Sequence, residues 1–113
     1  MAKISGQARK LRIYIGENSK YLGKPLYQAI VLKAKEMGMA GATVFRGIEG
    51  FGPSSRIKTA RLLDLSADLP ILVEIVDGVE YIDLFMPFLD EAVNEGMITV
   101  EDVDLIKYQS KPS

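Results

Sequence analysis

The 113-residue chain contains no cysteine and no histidine. Without cysteine there is no disulfide framework, no thiolate nucleophile and no sulfur-ligated metal. Without histidine the commonest general base and the commonest metal ligand are both missing. A carboxylate-only site for Mg²⁺ or Ca²⁺ is still chemically open, but no EF-hand spacing is present. No apolar run approaches the ~18 residues that a membrane span needs, and no signal-peptide pattern is visible, which predicts a cytoplasmic protein without a membrane span. Net charge is also scarce: the formal balance is -1. That argues against a nucleic-acid or membrane binder held by bulk charge.

The charge that is present is unevenly placed. Every Lys and Arg except Lys107 and Lys111 lies at or before Arg61, and before that point the only acids are Glu17, Glu36 and Glu49. The first half is basic and the second acidic. This reads either as ordinary surface solubility or as an anion site in the first half with complementary faces between subunits. At this length the chain is one domain, 1–113, with expected flexible tails at 1–8 and 109–113.

Residues 9–16 alternate: Leu11, Ile13 and Ile15 point one way, Arg12 and Tyr14 the other. That is a strand with one face on a core. A polar loop, 17–23, leads to Pro25, which suits the first position of a helix. Leu26, Ile30, Ala34 and Met37 form its apolar stripe. Lys20 and Lys24 precede this helix, where positive charge opposes the dipole unless solvent screens it or an anion binds. Gly38 and Gly41 suit a helix stop and turn, and residues 42–48 read as a second strand. Gly47, Gly50 and Gly52 weaken its end, either as a bulge or as a place where a ligand approaches backbone. Residues 53–61 carry Arg56, Lys58 and Arg61, no acid, and Ile57 as the one sizeable apolar side chain, so they read as an exposed, mobile loop, either simply mobile or a signalling switch that an anion at Gly50 and Gly52 orders. Leu62 to Leu65 either extend a strand or form a short turn.

Residues 71–76 are a strongly β-branched strand. Asp77-Gly78-Val79-Glu80 is similar to a capping box. It opens a second helix with Ile82, Phe85, Met86, Leu89 and Val93 on one stripe, a Pro87 kink near Asp83, and Gly96 at its end. Residues 97–100 begin the last strand, with a bulge expected around Asp102 before 103–108. The order βαββαβ predicts an α+β, ferredoxin-like fold: a four-stranded antiparallel sheet with two helices on one face. The usual strand order puts the first and third strands in the middle. It also gathers Lys20, Lys24, Arg46, Gly50, Gly52, the basic loop and Gly96 at one end. The open face carries Arg12, Tyr14, Leu72 and Glu74, with Arg12 and Glu74 expected to pair. Partial apolarity on that face predicts a partner.

The run Gly38-Met39-Ala40-Gly41-Ala42-Thr43-Val44, followed by Gly50-Phe51-Gly52 before a loop, resembles the PII signalling proteins. Tyr14-Ile15-Gly16-Glu17, Gly23-Lys24-Pro25-Leu26, Arg46-Gly47-Ile48 and Asp68-Leu69-Pro70 make the chain similar, over about residues 11–105, to a PII-like family of unknown function, number one-ninety. The resemblance implies a homotrimer with clefts between subunits, a small anionic ligand such as ATP, ADP, AMP or a cyclic nucleotide, and a regulated transporter or enzyme as partner. It implies that Gly50, Phe51 and Gly52 open the regulatory loop and help form the nucleotide cleft. Lys24, Arg46, Arg56 and Lys58 are the candidates for phosphate contact read from the residues themselves, with Gly47 beside them.

The chain departs from PII at Asn94-Glu95-Gly96-Met97, which has one glycine and no lysine where PII has a loop rich in both. Residues 53–61 also lack the tyrosine that nucleotidylylation requires. Two other classes stand beside the regulator. One is a structural or partner-binding trimer without ligand. The other is a small phosphate-handling enzyme, against which Gly16-Glu17-Asn18-Ser19 fails to match the acylphosphatase loop. An RNA-binding module is disfavoured because the central strands lack stacking aromatics.

Overall fold

The computed structural model describes residues 6–60 and 68–111. Strands β1 (Gly6–Gly16), β4 (Thr43–Arg46), β7 (Pro70–Asp77) and β8 (Met97–Leu105) form one antiparallel sheet in the order β4-β7-β1-β8. Helices α1 (Leu26–Glu36) and α2 (Val79–Ala92) cover one face. Two ribbons decorate this frame: β2 (Lys20–Tyr21) with β3 (Lys24–Pro25), and β5 (Glu49–Gly50) with β6 (Lys58–Thr59). The fold is the ferredoxin-like one that the alternation and helical periods dictate.

The core follows those periods. Leu11, Ile13 and Ile15 of β1 and Ile71, Val73 and Ile75 of β7 meet Leu26, Ile30 and Ala34 of α1 and Ile82, Phe85, Leu89 and Ala92 of α2. Phe85 is fully buried at the centre of this layer. Burying a side chain of that size contributes about 1.5–3 kcal/mol. Within α2 the helix runs on through Pro87, which has no N–H to give the carbonyl of Asp83.

Several boundaries differ from the sequence expectation. Residues 6–8 are not a tail: they pair with Val103, Asp104 and Leu105, and Ala8 is fully buried. The expected bulge at Asp102 is absent, because the β1–β8 register runs unbroken from Tyr14↔Met97 to Gly6↔Leu105. β8 then stops, so 106–108 do not extend it. α2 ends at Ala92, four positions before Gly96. Residues 17–23 contain half of the β2–β3 ribbon rather than a plain loop, with Leu22 and Gly23 at positive φ in its turn. Pro25 caps α1 from outside in extended geometry. Arg61 and Leu62 to Leu65 lie outside the described residues.

Asp77 does not form a capping box either. It ends β7 at 1% exposure, and Gly78 is the N-cap of α2. One carboxylate oxygen of Asp77 accepts the Ala40 N–H at 2.8 Å and the other the Gly78 N–H at 2.7 Å. The carbonyl of Ala40 is taken in turn by the Tyr108 hydroxyl at 2.8 Å. Both backbone groups of this corner residue, between α1 and β4, are therefore held by side chains from far along the chain.

The open face follows the alternation. Arg12 stands opposite Glu74, Tyr14 opposite Leu72 and Met97, and Phe45 opposite Leu72. Arg12 also reaches Glu101 on β8 at 3.4 Å. Tyr14, Phe45 and Met97 are all more than a third exposed.

Candidate functional site

Antiparallel pairing decides what meets at one end of the sheet. β1 and β4 finish there, β7 and β8 begin there, and the β5–β6 ribbon projects from the same edge. A cleft of about 720 Å³ opens between Gly16, Arg46, Phe51, Lys58, Asp68 and Met97. Phe45, Phe51, Pro70, Leu72 and Met97 give it an apolar wall, and Glu95, two residues before β8, also borders it.

The ribbon corrects the reading of 53–61 as a plain loop. Glu49 pairs with Thr59, Gly50 with Lys58, and the Ala60 N–H donates to the Ile48 carbonyl at 2.8 Å. The connecting turn contains Ser55 at positive φ, and its N–H donates to Gly52 at 2.8 Å. Ile57 is largely exposed.

Two ion pairs frame the cleft. Arg46 Nη2 lies 2.6 Å from Glu17 Oε2. Lys58 donates to Asp68, whose other oxygen accepts the Asn18 N–H at 2.7 Å. Burial pushes the Asp68 carboxyl up, but donation from Lys58 and the Asn18 amide, with the Lys58 charge and the Glu17 amide, outweighs it and holds the group below the usual carboxylate range. Lys58 was expected to have no acid nearby; its partner is ten positions on, beyond any local sequence window.

The glycines divide by what surrounds them. A Cβ on Gly47 would sit 2.7 Å from the Pro70 ring, and one on Gly50 3.3 Å from it. Both are explained by packing against the start of β7. A Cβ on Gly52 would meet none of the described residues within 4 Å. Gly96 has φ +149°, and a Cβ there would fall 2.4 Å from the Tyr14 carbonyl, so its role is close approach to β1 rather than helix termination.

Of the predicted residues, Arg46, Gly47, Gly50, Phe51, Gly52 and Lys58 line the cleft. Lys24 and Arg56 do not. Lys24 belongs to the β2–β3 ribbon, whose Tyr21 packs edge-on against Phe88 and donates to Glu91 of α2. The Leu26 N–H at the start of α1 is already bonded to Ser19 O at 2.8 Å. Arg56 is exposed in the ribbon turn. Asp68, Pro70 and Met97 are cleft residues that sequence reasoning did not select, and Glu17 is the unselected partner of Arg46. Asp68 and Pro70 stood in the family-like run Asp68-Leu69-Pro70, but nothing local links them to Lys58 or Gly47.

Comparison with known proteins fits this geometry. A UPF0166 protein of Aquifex aeolicus (strain VF5) is 42% identical over 96 residues, covering 85% of this chain and 90% of that protein. Among solved structures, CPII of Thiomonas intermedia K12 bound to ADP and bicarbonate superposes with a TM-score of 0.63 at 18% identity, covering 88% of each chain. The B. subtilis GlnK–ATP complex gives 0.56 at 15% identity, covering 88% of this chain and 84% of that one. The fold is thus PII-like. Residues 8–105, from the buried Ala8 to the last residue of β8, match the model of DUF190, described as an uncharacterized ACR, and the chain belongs to that family.

Proposed function

We propose that the protein is a PII-like regulator, assembled as a homotrimer, that binds a small anionic effector, an adenine nucleotide, in clefts between subunits. The observation that carries this reading is the 720 Å³ cleft at the loop-bearing end of the sheet. Its apolar wall offers burial for a base, and Arg46 and Lys58 stand where phosphates can be met. Structural neighbours bound to ADP and to ATP support the choice of nucleotide. The open face, with Tyr14, Phe45 and Met97 exposed around the Arg12–Glu74 pair, supports association through the sheet.

The ribbon turn between β5 and β6 is the part that would report occupancy. It projects from the cleft, carries exposed Phe51, Arg56 and Ile57, and is joined to the body through Lys58. A thermal-shift screen of ATP, ADP, AMP and cyclic nucleotides tests the effector. Ligand at a hundredfold excess over its dissociation constant stabilises by about 2.7 kcal/mol. No shift with any nucleotide would reject the reading. Light scattering at micromolar concentration tests the assembly, and a mass of one 12.5 kDa chain would reject the trimer. Hydrogen exchange over residues 53–60 with saturating nucleotide tests the reporter role; unchanged protection would remove it.

One observation favours a second reading, a partner-binding trimer without ligand. Arg46 and Lys58 are both already paired within the chain, and Glu95 adds negative charge to the cleft. An intact trimer that no nucleotide stabilises is the result this alternative expects.

A further inference from the structure

Asp68 is seated the way a bound anion would be. One of its carboxylate oxygens accepts the backbone N–H of Asn18 at 2.7 Å, and the other accepts the ammonium of Lys58. Both oxygens lie 3.1 Å from the point where a Cβ on Gly16 would stand, so the floor beneath them is bare backbone. A backbone N–H, an ammonium and a floor without a side chain are the parts from which oxyanion sites are made. They come from the end of β1 (Gly16), the turn just after it (Asn18) and the ribbon strand β6 (Lys58). Gly16, Lys58 and Asp68 all border the cleft, so a vacated seat would open into the cleft and not into the core. The side chains of Lys58 and Asp68 are 24% and 27% exposed, within reach of an entering solute.

We propose that the Asn18 N–H, Lys58 and Gly16 form an oxyanion subsite of the cleft, that Asp68 fills it as an internal competitor, and that a ligand's phosphate or carboxylate group binds by displacing the Asp68 carboxylate. The consequence is a threshold. A competitor tethered to the chain is present at high effective concentration, and the ligand's apparent affinity falls by the fraction of time the seat is filled. A weakly held anion is excluded, while a ligand also anchored on the apolar wall can open the pair and free the Lys58 end of the ribbon. The inference deepens the cleft reading but does not need a nucleotide.

The test uses the full chain and two simple probes, inorganic phosphate and acetate, followed by amide NMR. In Asp68→Ala the Asn18 amide should shift saturably, and at least one probe should bind tenfold or more tighter than in the wild type. The probe that gains most distinguishes a phosphoryl from a carboxylate ligand. Adding Lys58→Met should abolish the gain. A gain below tenfold for both probes, or an Asn18 amide that does not move, overturns the proposal. If Asp68→Ala does not fold, Asp68→Asn keeps the volume but loses the charge that Lys58 holds, so it competes for the seat more weakly; probes binding no tighter than to the wild type then overturn it. Binding of phosphate without any nucleotide shift leaves the subsite standing and the nucleotide reading fallen, and the converse separates them equally.

Discussion

Arg12 and Glu74 face each other directly across the two central strands, and the guanidinium donates to the carboxylate at 3.2 Å. The side chains are 37% and 27% exposed, so solvent screens the pair in a single chain. A double-mutant cycle should give a coupling of about 0.2–1 kcal/mol that shrinks with salt. If copies of the chain cover this face, truncating one partner should instead cost ~3–5 kcal/mol. A coupling of zero in the assembled protein would show that the pair contributes nothing.

Gly96 and Gly52 should respond in opposite ways to alanine. At Gly96 the new Cβ meets the Tyr14 carbonyl at 2.4 Å in a backbone region that L-residues avoid. Gly96→Ala should destabilise by roughly 1–3 kcal/mol or more. Gly52→Ala meets none of the described residues and should stay within about 0.5 kcal/mol. Urea unfolding of both variants checks the contrast. Equal losses would mean that Gly52 has a conformational role the contacts do not explain.

Asp77 offers a sharper test than its burial alone suggests. Its two oxygens serve two different N–H donors, Ala40 and Gly78. Asp77→Ala orphans both, at a cost of about 1–3 kcal/mol for each buried group left unpaired. Asp77→Asn should not rescue it, because its amide nitrogen would face one of those donors. Full stability of the Asn variant in denaturant titration would contradict the assigned hydrogen bonds.

Acid should weaken the Asp68 contact in a defined direction. The folded carboxyl is held below its ordinary value. Its stabilisation is therefore complete above the unfolded pKa of about 3.9 and is lost as pH falls through the lower folded value. The stability difference between wild type and Asp68→Asn should be constant near neutrality and should shrink below about pH 4. A difference that stays flat to pH 2.5 would mean the charge is not what Lys58 and Asn18 hold.

What the sequence made legible was whatever one period could encode. Alternation in 9–16 and 71–76 fixed the core face, and with the strand order it placed Arg12 against Glu74. The stripes Leu26, Ile30, Ala34 and Ile82, Phe85, Leu89 named the buried side of each helix. The site was only half legible. Gly47 and Gly50 read equally as a bulge or as ligand contacts, because local sequence cannot show Pro70 lying against them. Asp77 looked like a cap because its donor at Ala40 is 37 positions away. Asp68 was unreadable as a cleft residue for the same reason: its partners, Asn18 and Lys58, lie 50 and 10 positions off. The end of α2 was misplaced because Gly96 serves its approach to Tyr14, not a C-cap.

The corner at Ala40 has a consequence for how the chain is made. Its N–H waits for Asp77 and its carbonyl for Tyr108, while β1 waits for partners at Pro70–Asp77 and Met97–Leu105. Chains emerge from the ribosome at roughly 5–20 residues per second. For several seconds, then, the first strand and the first helix are outside with no sheet to join. Basic residues dominate that early portion and acids the late one. The positive charge of the waiting half is balanced only once the acidic half that closes the sheet has been made.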